Sequence, residues 1–199
     1  MALFLLTFFL LYGSLHFYFF LKLRAAFAPG APAQIILIAL LVLGLTAPLL
    51  VRALERFGIE TLVRLMSWAG YIWMAIILLF FSVAILLDLF RLLVNTAGYV
   101  LHTDIRAVLP AARTLFLLPL VAAVIIGGYG FFEARQIRTE RIEIRSAKIP
   151  KEIEKIRIVQ ISDVHVGVMV RGERLAGMLQ KVHEAAPDLL VATGDLVDG

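Results

Sequence analysis

Four long stretches without a charged side chain constrain this sequence more than anything else in it. Residues 1–21 run uncharged up to Lys22, and residues 25–51 lie between Arg24 and Arg52. Residues 65–87 lie between Arg64 and Asp88, and residues 114–132 between Arg113 and Glu133. A helix crosses roughly 30 Å of hydrocarbon in about 20 apolar residues. Inside lipid, backbone N–H and C=O groups must pair within their own segment, so each stretch is expected to be a transmembrane helix. The spans are placed at 2–21, 33–51, 65–87 and 114–132. Nothing basic precedes Lys22, so the first span lacks the n-region of a cleaved signal peptide and reads as an uncleaved anchor. Pro48 and Pro119 fall inside spans, where neighbouring helices let a proline kink a helix without breaking it. Trp68, Tyr71 and Trp73 are expected at the lipid–water interface.

Composition agrees. The chain is 61% hydrophobic and 17% charged, against about half and a quarter in a soluble domain. It contains no cysteine, which excludes disulfides, cysteine-ligated zinc and a thiol nucleophile. Charge is divided unevenly. Residues 1–132 hold 8 of the 19 Lys/Arg and 4 of the 15 Asp/Glu, and the remaining 67 residues are neutral overall. Four spans put both ends of the chain on one side. That side collects Arg52, Arg56, Arg64, Arg135, Arg138, Arg141, Arg145 and Lys148, and the other collects Lys22, Arg24, Arg91, Arg106 and Arg113. Eight against five favours a cytoplasmic tail on a multi-pass protein of the cell membrane. The basic excess flanks hydrophobic spans and no nucleic-acid motif accompanies it, so nucleic acid is not an expected partner.

Polar residues in the hydrophobic half have modest readings. An ionisable residue within a span is a functional hypothesis by default, but His16 is read as a neutral imidazole bonded to a neighbouring helix. Asp88 precedes Arg91 by three residues, a helical pairing distance. His102 and Asp104 fall in the connection between spans three and four and are expected to face water. The glycines of "GGYG" at 127–130 suit close helix packing.

Beyond the membrane the pattern changes. Residues 133–155 read as a basic juxtamembrane linker whose Arg135, Arg138, Arg141, Arg145 and Lys148 lie at the membrane surface, as topology-setting charge in the first place and, alternatively, as a lipid-binding collar. Within it, "RIEIRS" at 141–146 alternates apolar and polar, as a strand with one wet face does. Residues 156–162, "IRIVQIS", and 188–193, "DLLVAT", read as strands covered on both faces. Between them, Leu175, Met178, Leu179, Val182 and Ala186 form one helical stripe, ended by Pro187. Strand, helix and strand give a crossover between parallel strands. "DVHVG" and "GDLVDG" then emerge from neighbouring carboxyl ends, where open α/β sheets place their sites. Asp163 and His165 are one residue apart and, in an extended segment, share a side. Asp195 can converge on them, and this donor set suits Mn²⁺, Fe or Zn²⁺ better than Mg²⁺. Gly194 permits a tight turn, and Asp198 and Gly199 sit where they can support the ligands from behind.

At these residues the chain resembles a known family. "VQISDVHVG" and "DLLVATGDLVDG" look like the first two signature blocks of the calcineurin-like metallophosphoesterases, and most of all the membrane-attached branch, in which hydrophobic spans precede the enzyme domain. The resemblance covers about residues 140–199, so that the four-helix transmembrane region read above is followed, from residue 156, by what the resemblance implies is the first β-α-β part of an α/β sandwich. It implies two divalent metal ions, with Asp163 and His165 on the first and Asp195 shared by both. Water acidified by the cations would attack a phosphoester or pyrophosphate, and a lipid-linked substrate suits the membrane tether. The family pattern continues with Asn-His, a further His and Gly-His-x-His blocks, and none occurs in these 199 residues. The expectation is therefore a phosphoesterase whose 199-residue chain is inactive alone, the catalytic general acid being absent: a fragment, a truncated copy, or half of a site completed elsewhere. The alternative is a non-catalytic four-span protein with a lipid- or partner-binding tail.

Overall fold

The computed structural model describes residues 2–197 apart from 147, 149, 151–152, 168–169 and 171. The chain divides into two compact units, residues 1–131 and 132–199.

The first unit is helical. Its helices are α1 (Ala2–Phe27), α2 (Ala31–Arg56), α3 (Glu60–Val100) and α4 (Ala112–Glu133), with a 3₁₀ turn at Arg106–Val108 before α4. Among the described residues, these four helices are long and apolar enough to cross a membrane. Pro48 and Pro119 lie inside continuous helices, as expected. The sequence underestimates α3, which continues past Asp88 for 41 residues in all, about 60 Å at 1.5 Å per residue. Charge ends a span but not a helix, and no proline or cap interrupts "DLFRLLVNTAGYV". The helix stops where His102 takes a left-handed φ of 51°. The Thr103 N–H then reaches back to the Gly98 carbonyl at 3.1 Å, the six-to-one bond of a Schellman ending. His102 and Asp104 are exposed, as expected.

Aromatic rings hold this unit together. Phe19 of α1, Phe80 of α3 and Phe116 of α4 form a triangle with centroids 4.8, 5.3 and 5.4 Å apart; Phe19 meets the other two rings edge-on, which suits the ring quadrupoles, and Phe80 and Phe116 are tilted. His16, only 4% exposed, lies between helices. Its Nε2 faces the Trp73 Nε1 at 2.8 Å and its Nδ1 faces the Tyr12 carbonyl at 2.8 Å. An indole N–H can only donate. Nε2 therefore accepts, Nδ1 carries the proton, and the imidazole is neutral, as the sequence suggests. Trp73 is thus engaged between helices through its indole N–H. Its indole packs against α2, where a Cβ on Gly44 would sit 2.6 Å from the ring Cδ1. Asp88 does pair with Arg91, at 3.9 Å. Its closer partners come from α1: the Lys22 ammonium is in direct contact, and the Tyr18 hydroxyl donates at 2.6 Å.

The second unit contains β1 (Ile158–Ser162), α5 (Gly172–Ala185) and β2 (Leu189–Thr193). The strands are parallel, in register from Ile158 opposite Leu189 to Ser162 opposite Thr193. Asp188 fixes that register at its start. Its carboxylate accepts the Arg157 N–H at 2.7 Å, while its own N–H donates to the Arg157 carbonyl at 2.9 Å. On α5, Leu175, Met178 and Val182 are half-buried, whereas Leu179 and Ala186 are exposed. The helix ends at Ala185 because Ala186 turns to φ 45° ahead of Pro187.

Two expectations fail here. "RIEIRS" forms no strand, since an alternating pattern needs a neighbouring strand to supply its hydrogen bonds. The strands that form are not covered on both faces either, Ile158 being 61% exposed. The pattern shows what a strand is built to bury, not what lies over it.

Candidate metal centre

Parallel register brings the two loops together. Because Ser162 lies opposite Thr193, Asp163 and Gly194 leave the sheet side by side. The ladder then continues irregularly through the loops. The Asp163 N–H donates to the Thr193 carbonyl at 3.2 Å, His165 N–H to Asp195 at 3.1 Å, and Val166 N–H to Leu196 at 3.0 Å. Val164 and Val170 are buried beneath the loop, so the residue between Asp163 and His165 anchors the segment while its neighbours face outward.

Asp163, His165 and Asp195 each present a ligand atom, and these atoms all lie within 4.8 Å of one another. The His165 Nε2 is 4.0 Å from the Asp195 Oδ2. All three residues are exposed. The convergence is not produced by strand alternation, as the one-residue spacing suggests. Asp163 and His165 both occupy the left-handed region, at φ 49° and 52°. That conformation costs a non-glycine residue about 1 kcal/mol or more, and such strain collects at functional sites.

Gly194 is also left-handed, at φ 68°. A Cβ there would lie against the Asp163 carboxylate, 2.8 Å from its Cγ. Glycine is thus required twice, by conformation and by space.

The Asp163 carboxylate is held at both oxygens. Ser162 Oγ donates to Oδ2, and the Asp195 N–H faces Oδ1 at 3.4 Å. The Ser162 hydroxyl first, then the Asp195 amide and the nearby His165, keep this carboxyl below the usual carboxylate range. Ser162 is the residue that sequence reasoning overlooks, although its place just before the first carboxylate was available as a signal. Asp198 and Gly199, expected behind the ligands, lie outside the described residues. His183 is exposed on the last turn of α5. Among the collar residues, Arg138 pairs with Glu133 at 2.8 Å and Arg145 with Glu143 at 2.9 Å, while Arg135, Arg141 and Lys148 are exposed.

A membrane-spanning chain bearing a strand–helix–strand unit with an Asp-His-Asp cluster at its strand ends is thus the class that fold and site define. Comparison with known proteins narrows it. The chain is 44% identical over 78 residues to an uncharacterized metallophosphoesterase of Aquifex aeolicus (strain VF5), covering 39% of this chain and 29% of that protein. It is 37% identical over 75 residues to the uncharacterized metallophosphoesterase YkuE of Bacillus subtilis (strain 168), covering 36% and 26%. It is 32% identical over 83 residues to a transmembrane protein with metallophosphoesterase domain of Danio rerio, covering 41% and 19%. The resemblance implied by the two motifs is borne out, over about two fifths of the chain. The matched stretch spans between 19 and 29% of these relatives' own lengths. No family model and no solved structure matches.

Proposed function

We propose that this chain is the membrane-anchored part of a metal-dependent phosphoesterase that hydrolyses a phosphoester or pyrophosphate. The observation that carries the reading is the convergence of Asp163, His165 and Asp195 at adjacent strand ends, joined to the likeness to proteins named metallophosphoesterases.

Two carboxylates and one imidazole, with ligand atoms this close, fit a borderline divalent cation such as Mn²⁺, Fe²⁺ or Zn²⁺. Asp163 and His165 would hold one ion, and Asp195 would be shared with a second. Bound cations would supply acidified water and charge neutralisation at the phosphoryl oxygens. The protein's own contribution is positional. Ser162 and the Asp195 amide orient Asp163, Gly194 leaves its carboxylate room, and buried Val164 fixes the loop between the two ligands. The sandwich of the family is the fold this unit would contribute to. We place the tail at the cytoplasmic face of the cell membrane, where four spans keep the site beside the bilayer and a lipid-linked substrate is the fitting one. The 199-residue chain offers these three ligands and neither an Asn-His nor a Gly-His-x-His block, so binding without turnover is its expected behaviour in isolation.

The test is calorimetric titration of the full chain with Mn²⁺ in micelles. Removing residues behind metal ligands costs about 10- to 100-fold in affinity, so Asp163→Asn and Asp195→Asn should each cost at least about 100-fold. Equal Mn²⁺ binding by wild type and the double variant would overturn the reading.

A further inference from the structure

Between α4 and β1 the chain leaves two isoleucines that no described residue of the second unit covers. The start of the linker is engaged. Arg174 of α5 donates to the Ala134 carbonyl at 3.1 Å, and the Ile137 side chain lies against α5 at Gly177. Farther on the chain has no regular secondary structure and is solvent-facing, with Ile142 78% and Ile144 81% exposed. In an extended segment, residues two apart share a side. Laid out extended on a surface, Ile142 and Ile144 would form one apolar edge, and Arg141, Glu143 and Arg145 the other.

Two further facts select the occupant of that edge. Residues 134–148 carry five basic side chains (Arg135, Arg138, Arg141, Arg145 and Lys148) against two acidic ones, Glu140 and Glu143. The segment also follows α4 directly, Ile142 being nine residues beyond Glu133. At most about 3.5 Å per residue keeps it within roughly 30 Å of the span's end. An apolar pair inside a net positive segment tethered to a membrane helix matches an anionic bilayer surface. Such a surface takes isoleucine side chains below the head groups and guanidinium groups among the phosphates.

We propose that residues 138–146 form an interfacial anchor, with Ile142 and Ile144 inserted into the leaflet that α4 leaves and Arg141 and Arg145 on lipid phosphates. This inference is independent of the metal reading and stands or falls without it.

The chain has no cysteine, so single labels can be placed cleanly. Ile142→Cys, Ile144→Cys and, as the opposite edge, Glu143→Cys would each carry a nitroxide in the full chain reconstituted into vesicles. The vesicles would be phosphatidylcholine alone or phosphatidylcholine with one-third phosphatidylglycerol. Each buried isoleucine favours the apolar phase by about tenfold or more. Collisions with a water-soluble relaxant should thus be about tenfold rarer at 142 and 144 than at 143 in anionic vesicles. The contrast should shrink in neutral vesicles and in high salt. Labels at 142 and 144 that stay water-exposed in every vesicle would overturn the proposal. So would protection that is the same in neutral and anionic vesicles and insensitive to salt, which would mean that protein covers the edge.

Discussion

The two units bury their apolar residues in different ways. In the helical unit each segment satisfies its own backbone, and side chains from different helices meet in closed arrangements: the Phe19–Phe80–Phe116 triangle, the His16–Trp73 bond and the Lys22–Asp88–Tyr18 cluster. In the strand–helix–strand unit, β1 and β2 satisfy each other along one edge only, and Ile158, Leu189 and Leu190 remain exposed. A helix needs neighbours only to bury its side chains. A strand needs them for its hydrogen bonds as well. Apolar residues therefore yield a packed bundle in one unit and an open two-stranded sheet in the other.

A closed bundle depends on its polar contacts as well as its rings, and Asp88 is the strongest place to test that. Asp88→Ala leaves the Lys22 ammonium, 12% exposed, without its carboxylate. Breaking a pair this enclosed should cost about 3 kcal/mol, read as lost resistance to denaturant in micelles. The double variant Lys22→Met with Asp88→Leu should recover most of that loss, because an apolar pair removes the stranded charge. No loss in the single variant would mean the cluster is solvated in the membrane.

A somewhat smaller effect is expected where α2 and α3 meet. Gly44→Ala places a methyl group 2.6 Å from the Trp73 indole. Relieving that overlap costs about 1–3 kcal/mol. If the indole swings away, the His16 bond is lost too, adding about 0.6 kcal/mol. Unchanged thermal stability and unchanged tryptophan emission together would show that α2 does not pack this closely.

How much of this was legible in sequence follows the same division. Four apolar runs suffice to place four helices, because nothing outside each run decides its secondary structure. Their partners were less visible. Lys22 reads as a loop charge until α1 and α3 are seen side by side, and the notch that Gly44 leaves for the Trp73 indole is not visible in the sequence. In the second unit, the parallel pairing and the closeness of Asp163, His165 and Asp195 follow from two motifs joined by one helix. The left-handed backbone at Asp163 and His165 does not, since a period-two argument presumes an extended chain. "RIEIRS" shows the limit most plainly. Its alternation is real, but the segment forms no strand, because pattern alone supplies no neighbouring one.

Within the second unit, the comparison sharpens at Gly194. Gly194→Ala must adopt φ 68°, a cost of about 1–2 kcal/mol for a residue with a Cβ, and must push the Asp163 carboxylate aside. We expect a modest loss of stability with a larger loss of Mn²⁺ affinity. Equal, small losses in both would show that the turn is strained without shaping the ligand cluster.

The smallest effect expected is at Ser162. Its hydroxyl, with the Asp195 amide, holds the Asp163 carboxyl below its ordinary range. A carboxyl depressed in the folded state adds stability that is fully present above its unfolded pKa and is lost as pH falls through the folded value. Asp163 is exposed, so solvent screens most of that contribution, and a denaturation curve is the wrong instrument. Titration of the Asp163 side-chain carbon by NMR in metal-free protein reads it directly. Ser162→Ala should raise the Asp163 pKa toward the ordinary carboxylate value, while Ser162→Thr, which keeps a hydroxyl donor, should leave it depressed. Identical titration in all three proteins would mean that the hydroxyl does not hold the carboxylate in solution. Asp163 would then be oriented by the Asp195 amide alone, and the site would rest on the pairing of its two loops with no help from the strand that delivers the first ligand.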